Sequence, residues 1–311
     1  MRDRLIRLGI PVVFFILLLA PVMEYVKARD EGADEGFVSF AWGQLSDPAP
    51  GPTWFLEALL AFSLAYALFR ALRPSDRPVS RRPLRGRQVI AVGVAIGVLS
   101  FATRLVVPYG EEHLHIQFAL FPQYAILFGL GCAAGRRDWL ETLTPQLRRR
   151  CGMAGLIGIL ALPVLLLAGG FTEGAGQRDL YAGGWHWESA GAAVEEAILA
   201  ATLPLFLVGW CREHWTGQGP LLKRMSDTAY GAFILHPPVI VGLALALHKV
   251  AMPAELMFAL VLAGGVAASF GLTAVVMSSA AVRTVIGSGA RTPAPRRPKA
   301  PLATGPVAGG P

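Results

Sequence analysis

The sequence contains little of what marks a soluble enzyme or a disulfide-rich secreted domain. Only 3 of its 311 residues are cysteine and only 16% are charged, so neither a disulfide framework nor an extensive solvated surface is indicated. A P-loop, the glycine pattern of a dinucleotide fold, a GxSxG elbow and zinc-ligand spacing are also missing. These absences argue against the common classes of nucleotide-binding protein, serine hydrolase and zinc enzyme. We expect neither a bound metal nor a bound cofactor.

Apolar residues occur instead in long blocks. Hydrophobic residues make up 54% of the chain, the mean hydropathy is +0.50, and runs of about twenty apolar residues, the length that crosses a bilayer, recur along it. We predict an all-α, polytopic transmembrane bundle of about eight spanning helices, with the lipid bilayer as its surroundings. The predicted spans are 8–25, 54–72, 88–107, 116–135, 152–170, 190–210, 226–248 and 256–279.

Cationic residues predict the orientation. Nearly every Lys and Arg lies before the first span or in the loops after the second, fourth, sixth and eighth spans, and the alternate loops hold most acidic residues. Cationic segments stay in the cytoplasm, so we predict cytoplasmic termini and a multi-pass protein of the cell membrane. For a membrane protein the net charge of +7 does not indicate nucleic-acid binding. Residues 1–286 would form the transmembrane domain, and 287–311 a disordered, basic cytoplasmic tail rich in Pro, Ala and Gly.

Four charged residues interrupt the apolar runs near the predicted outer face. Arg104 lies on the third span, which also carries the small residues Gly93 and Gly97 for close helix contact. Because ionisable groups are expensive inside a membrane, we predict a buried pair between Arg104 and a glutamate of the sixth span. The alternative is that these side chains extend to the headgroups. The acidic residues concerned are Glu57, Glu195 and Glu196.

Tryptophans accompany these charges. Trp54, Trp185 and Trp187 lie at the predicted outer end of the bundle. Flat aromatic rings beside carboxylates suit a sugar, whose C–H faces stack while its hydroxyl groups hydrogen-bond. An interfacial aromatic belt explains the same residues, and the pattern does not decide between the two.

The stretch 226–248 combines an apolar run with His236, Pro237 and Pro238. Two prolines remove two backbone donors, so we expect the helix to kink or break there. An ionisable ring at that depth indicates a functional site. A buried histidine that donates to a carbonyl freed by the prolines is the alternative.

Several segments resemble acyltransferase family 3, a family of membrane O-acyltransferases. They are RDRLIRLGIP at 2–11, GPTWFLEALLAFSLAYALFR at 51–70, FPQYAILFGLGCAAGRRDWL at 121–140, GGWHWES at 183–189 and SDTAYGAFILHPPV at 226–239. The chain is most similar to members that modify surface carbohydrates. The resemblance implies transfer of an acyl group from a cytoplasmic acyl-CoA-type donor to a hydroxyl group of a surface or exported carbohydrate.

The resemblance also implies residue roles. Arg2, Arg4 and Arg7 match the arginine motif linked to donor binding. Acceptor-binding roles fall to Trp54, Glu57, Arg104, Trp185, Trp187, Glu195 and Glu196. The family's two opening helices, with their catalytic histidine, would precede residue 1, so we expect that the chain as written does not transfer acyl groups. If the base does lie within the chain, His236 is the first candidate and Glu195 the second.

Two other functions remain open on the sequence alone. Broken helices and polar groups at mid-membrane also mark transporters of small polar solutes, although the two halves of the chain show no self-similarity. A non-catalytic partner of another membrane enzyme is the third possibility.

Overall fold

The computed structural model describes residues 4–46, 50–73, 83–111, 117–215, 217, 219–279 and 282. Within these ranges the secondary structure is helical and contains no strand. Eight helices are long and apolar enough to cross a membrane. The predicted all-α, polytopic architecture is therefore confirmed.

The described helices, in chain order, are eight long ones and two short ones that the sequence did not predict, α2 and α7. They are α1 (Leu5–Asp30), α2 (Phe37–Gln44), α3 (Gly51–Leu72), α4 (Gly86–Arg104), α5 (Phe118–Arg137), α6 (Pro145–Ala168), α7 (Ala175–Ala182), α8 (Trp187–His214), α9 (Pro220–Leu247) and α10 (Ala254–Val276).

Helix α6 begins seven residues earlier than predicted. Thr144 caps it by accepting a hydrogen bond from the backbone N–H of Leu147 at 3.3 Å, and Pro145 occupies the first turn. Both features are typical helix starts. The three arginines at 148–150, predicted to lie in a loop, are therefore helical.

Helix α9 corrects two further expectations. It begins at Pro220 rather than near Ser226, because Pro220 sits in the first turn, where its missing N–H costs nothing. It also continues unbroken through Pro237 and Pro238, so the predicted break is wrong.

One half of the bundle is built around α8, which packs between α4 and α6. Three glycines of α6 at spacing three (Gly152, Gly155 and Gly158) face Phe206, Leu203 and Leu199 of α8 so closely that a β-carbon at each would lie within 2.9 Å of the facing side chain. The hydrophobic effect does not drive helix association in lipid. The close approach of α6 to α8 at these glycines therefore supplies van der Waals energy that holds the two helices together.

The predicted small-residue face of α4 is confirmed on the other side of α8. A β-carbon on Gly97 would lie 3.4 Å from the Cβ of Ala197, and one on Gly93 would lie 3.7 Å from that of Ala201. Both alanines are buried. Helix α8 is thus held by small residues on both flanks.

The other half consists of α1, α3, α9 and α10, with α9 and α10 as its most extensive pair. Its core includes Phe15 and Met23 of α1 packed against Ile234 and Leu235 of α9. Small residues are buried in this half as well, among them Ala20 of α1 and Ala232 of α9.

Aromatic rings join the two halves where α3 faces α5. Phe62 of α3 stacks on Phe128 of α5 with ring centroids 5.6 Å apart, and Trp54 meets Tyr124 at the same distance. The seam therefore brings a tryptophan of one half beside the polar end of the other.

Candidate functional site

Arg104 and Glu196 form a largely buried ion pair between the end of α4 and a position nine residues after the start of α8, as the sequence predicted. The Nη2 group of Arg104 donates to Oε2 of Glu196. The Arg104 side chain is only 4% exposed and the Glu196 side chain 22%. Arg104 is the last residue of α4, so the pair ties the end of α4 to α8. The Arg104 side chain therefore turns to Glu196 and does not extend toward the headgroups, as an unpaired arginine would.

A cavity of about 360 Å³ opens beside this pair. Charged walls come from Arg104, Glu195, Glu196 and Arg178, and the remainder includes Tyr109, Tyr181, Phe171 and aliphatic residues of α6 and α8. Both predicted glutamates therefore line one space, although adjacent helical residues point about 100° apart.

Two polar atoms in this cavity wall lack partners. Oε1 of Glu195 and Nε of Arg104 are buried and have no hydrogen-bond partner among the described residues. Buried polar groups are nearly always satisfied, so each exception in a cavity indicates a water or a polar ligand. The cavity can therefore accept a hydroxyl donor at Glu195 and offer a donor at Arg104.

The loop after α7 closes the cavity through its backbone. The N–H of Gly184 donates to the carbonyl of Arg104 at 3.3 Å, and the N–H of Tyr109 donates to the carbonyl of Ala182 at 2.7 Å. A β-carbon on Gly183 would lie 2.5 Å from that same Arg104 carbonyl. Glycine at 183 is needed because the two loops approach so closely.

Tyr181 fixes the short helix α7 over the end of α6. Its hydroxyl donates to the Leu165 carbonyl at 2.8 Å, an acceptor near the helix end. Desolvation and the nearby Glu188 carboxylate raise the pKa of Tyr181, so the hydroxyl stays protonated and keeps donating. Sequence patterns missed Tyr181 because a lone tyrosine in a loop has no distinctive spacing.

The three tryptophans predicted to bind the acceptor lie in different surroundings. Trp185 is 81% exposed and packs on Phe101, and Trp187 is 55% exposed; neither lines the cavity. Trp54 contacts Tyr124, which interacts electrostatically with Glu196. Of the three tryptophans, Trp54 therefore approaches the buried pair, through a tyrosine that sequence analysis did not single out.

Glu57 lies one turn after Trp54 on α3 and is half-buried. It is not among the residues that line the cavity beside Arg104. The structure therefore places the predicted acceptor residues in two groups, with Glu57 and Trp54 across the seam from the two glutamates of α8.

A second polar cavity, of about 320 Å³, lies between α1, α3 and α9. It is lined by Arg4, Arg7, Leu8, Leu59 and Tyr230. Nη1 of Arg4 donates to the buried Ser63 hydroxyl at 2.8 Å, and the Tyr230 hydroxyl donates to the Arg7 carbonyl at 2.7 Å. Two of the three arginines predicted to bind the donor thus share one cavity; Arg2 lies outside the described residues, as does the predicted tail 287–311.

These arginines lie deeper in the bundle than a terminal segment implies. Ser63 is nine residues before the end of α3 and Tyr230 is ten residues after the start of α9. At a rise of about 1.5 Å per residue, both positions are roughly 14–15 Å from the corresponding helix end. The cavity therefore lies level with the middle of its neighbouring helices.

His236 makes the contact that the alternative interpretation of the Pro-Pro stretch described. Its Nδ1 lies 2.7 Å from the Phe233 carbonyl, the group whose usual helical donor is missing at Pro237. A carbonyl only accepts, so Nδ1 is the donor in this contact. The ring replaces the lost backbone bond, which helps explain why α9 does not break.

Together, the eight spanning helices and the buried charged cavities define a polytopic membrane protein built around internal polar sites. The family model of acyltransferase family 3, described as an acyltransferase domain, matches residues 1–277. Because the match covers most of the chain, the chain belongs to this family of membrane acyltransferases. No curated protein and no solved structure matches it.

Proposed function

We propose that this chain transfers an acyl group from a cytoplasmic acyl-CoA-type donor to a hydroxyl group of a surface or exported carbohydrate. The hydroxyl oxygen bonds to the acyl carbonyl carbon, the carbon–sulfur bond breaks, a base takes the hydroxyl proton, and the coenzyme A thiolate is protonated. The observation that carries the proposal, beside the family, is the buried Arg104–Glu196 pair with an unpartnered Glu195 oxygen in the same cavity.

The cavity beside Arg104 suits a carbohydrate acceptor. A sugar hydroxyl donates to Oε1 of Glu195, and a sugar oxygen accepts from Nε of Arg104, so the ligand satisfies both atoms that lack partners. Phe171 and Tyr181 add aromatic surface to the same wall. Trp185 and Trp187, predicted to bind the acceptor, would then contact only parts of a glycan that extend beyond the cavity.

The cavity at Arg4 and Arg7 suits the phosphates of the donor. Both side chains are exposed in the structure although they lie level with mid-helix, and guanidinium groups bind phosphate strongly. A charged donor would therefore enter about half of the bundle thickness from the predicted cytoplasmic side. The orientation itself, and the cell membrane as location, stay predictions from the charge pattern.

A proton acceptor is required for the attack of the hydroxyl group. Within the described residues, the two candidates are His236, whose Nδ1 is engaged with the Phe233 carbonyl, and Glu195, which has an unpartnered carboxylate oxygen. Glu195 lies in the proposed acceptor cavity and His236 does not. The expectation that the chain as written does not transfer acyl groups is opposed to this proposal. Complementation with an allele that encodes only these 311 residues decides between the two, because it restores the ester only if the base lies among them.

Gene deletion and complementation test this function. Deleting the gene should remove an ester-linked acyl group from a surface or exported carbohydrate, measured as alkali-released acid. The wild-type gene should restore the ester, and a Glu195→Gln allele should restore less than about a tenth of it, a loss within the usual contribution of an acid–base group.

A Glu173→Gln allele is the matched control, because Glu173 is an exposed carboxylate on a nearby loop and does not line the cavity. It should restore the ester fully. Unchanged carbohydrate esters after deletion would contradict the proposed function, and loss of uptake of a polar solute instead would favour a transporter.

A further inference from the structure

A third cavity, of about 520 Å³, lies between α9 and α10 and shares no lining residue with the acceptor or the phosphate cavity. Its walls are almost entirely apolar and include Phe233, Phe258, Leu262 and Phe270. Among the described residues, only two polar side chains, His236 and Ser269, line it. Cavities of a few hundred cubic ångströms with few polar groups are typical of small-molecule sites.

Ser269 is the unusual member of this wall. The residue is 3% exposed, and its hydroxyl has no hydrogen-bond partner among the described residues. Serine and threonine in helices commonly donate to the carbonyl one turn earlier, as Thr273 does to Ser269 at 2.7 Å. Ser269 therefore keeps a buried donor in the cavity wall without an acceptor, which costs stability unless a ligand supplies one.

His236 lies level with Ser269 across the cavity. Helices α9 and α10 contact where a β-carbon on Gly265 would lie 3.4 Å from Cγ1 of Ile240. His236 is one turn before Ile240, and Ser269 is one turn after Gly265. In an antiparallel pair these steps run in the same direction, so the imidazole and the hydroxyl group occupy one level of an otherwise apolar cavity.

We infer that this cavity binds the hydrocarbon chain of a long-chain acyl donor, with the acyl carbonyl accepting a hydrogen bond from Ser269. The inference rests on the proposed function and names its acyl group as long rather than acetyl. A two-carbon group would leave most of the apolar wall uncovered, whereas a longer hydrocarbon chain would cover it. The Ser269 hydroxyl is the unpartnered donor of this wall, so the acyl carbonyl is assigned to Ser269.

The route to the phosphate cavity is short. Tyr230 lines the cavity with Arg4 and Arg7, and the next-door residue Ala229 lines the cavity with His236. The two cavities therefore lie on adjacent faces of the same turn of α9. One donor can place its phosphates at the arginines and its acyl chain between α9 and α10.

Photocrosslinking in nanodiscs tests the inference without requiring turnover. The probe is a palmitoyl-CoA analogue with a diazirine in its chain, and the crosslinked peptides are identified by mass spectrometry. We expect adducts on α9 and α10, displaced by palmitoyl-CoA at concentrations at least about tenfold below those required of acetyl-CoA, because chain burial supplies the difference.

Two adjacent glycines provide the variant and its control. Gly265→Leu places a side chain in the cavity and should lower crosslinking at least about tenfold. Gly264→Leu faces Leu243 outside the cavity and should retain it, with thermal melts confirming that both variants fold. Ser269→Ala should weaken displacement by palmitoyl-CoA about fivefold, as expected for one hydrogen bond.

Two outcomes would overturn the inference. Equal crosslinking in wild type and Gly265→Leu, undisplaced by palmitoyl-CoA, would mean contact with surrounding lipid only. Equal displacement by acetyl-CoA would exclude a long-chain site. Specific crosslinking without any ester on the cell's carbohydrates would keep this site and reject the proposed function, so the two failures are distinguishable.

Discussion

The two halves of the bundle solve the same problem of burying polar groups in different ways. In the half around α8, glycine and alanine bring the backbones together, and Arg104 lies in a closed wall with Glu196 as its partner. In the half around α9, Arg4 and Arg7 line a cavity and stay exposed beside it. The first half therefore pairs the arginine of its cavity wall with a buried carboxylate, whereas the second half leaves its arginines open to a ligand.

This difference suits the proposed chemistry. The α8 half holds a cavity of about 360 Å³ whose wall includes an ion pair and lies beside hydrogen-bonded loop backbone. The α9 half holds a charged cavity of about 320 Å³ and an apolar cavity of about 520 Å³. A donor with a charged end and an acyl chain requires the second kind of space, and a sugar hydroxyl requires the first.

Removing the buried arginine should have the largest effect on the α8 half. Arg104→Ala leaves Glu196 buried without its partner, which we expect to cost about 3 kcal/mol. Unfolding of the protein in mixed micelles measures the loss, with the exposed Arg149→Ala as control. Arg104→Met combined with Glu196→Leu should recover most of it, since an apolar pair leaves no uncompensated charge; equal losses in Arg104→Ala and Arg149→Ala would show that the pair is not stabilising.

Enlarging a glycine at the α6–α8 contact should have the next largest effect. Gly155→Leu would place carbon where the Leu203 side chain lies, because a β-carbon there is already 2.6 Å from Leu203 Cδ2. We expect a loss of about 2 kcal/mol from overpacking. A β-carbon on Gly129 of α5 or on Gly271 of α10 would meet no described atom within 4 Å, so leucine at either should be nearly neutral. Equal losses of stability at Gly155, Gly129 and Gly271 would show that the α6–α8 contact is no more closely packed than the other two positions.

The ion pair at the opposite end of α8 should contribute less than the buried one. Arg148 pairs with Glu213, whose side chain is 53% exposed. Solvent screens this pair, so Glu213→Ala should cost about 1 kcal/mol in the same unfolding assay. A loss as large as that of Arg104→Ala would mean that burial does not set the strength of these pairs.

The smallest effect is expected at the far end of α1. Asp30 accepts from Lys249 at 2.9 Å and lies 3.0 Å from His248 Nε2, linking the ends of α1 and α9. Lys249 is well exposed, and exposed ion pairs contribute little. Asp30→Asn should leave the melting temperature unchanged within error at moderate salt. A clear drop in the melting temperature would show that the stability of the α9 half depends on the contacts of Asp30.

The spans and the Arg104–Glu196 pair could be predicted from sequence because both depend on the cost of polarity in lipid. Apolar runs of spanning length and matching depths of opposite charges are visible without coordinates. Helix starts such as Pro220 could not be placed, because the apolar run that predicts the span begins only after residue 226, and polar residues separate that run from Pro220. The sequence could not distinguish Trp54 from Trp185 and Trp187, because the direction of one side chain depends on the local loop backbone. Here that backbone is fixed by the contacts of Gly183 and Gly184 with Arg104.

The depth of Arg4 and Arg7 within the bundle could not be predicted from the sequence either. Arg4 and Arg7 precede the first apolar run, which predicts a helix end at the membrane surface, yet their contacts with Ser63 and Tyr230 lie at mid-helix. The stagger of α1 against α3 and α9 results from packing, such as Phe15 lying beside Gly51. No local pattern encodes such a stagger.

Equilibrium binding of coenzyme A to the purified chain tests the division between a donor half and an acceptor half most directly. The double variant Arg4→Ala, Arg7→Ala should bind at least about tenfold more weakly, because each arginine lost removes a charge-assisted contact to phosphate. Glu195→Gln should bind as the wild type does. Unchanged affinity in the double variant, or an equal loss in Glu195→Gln, would contradict the assignment of the donor to the α9 half.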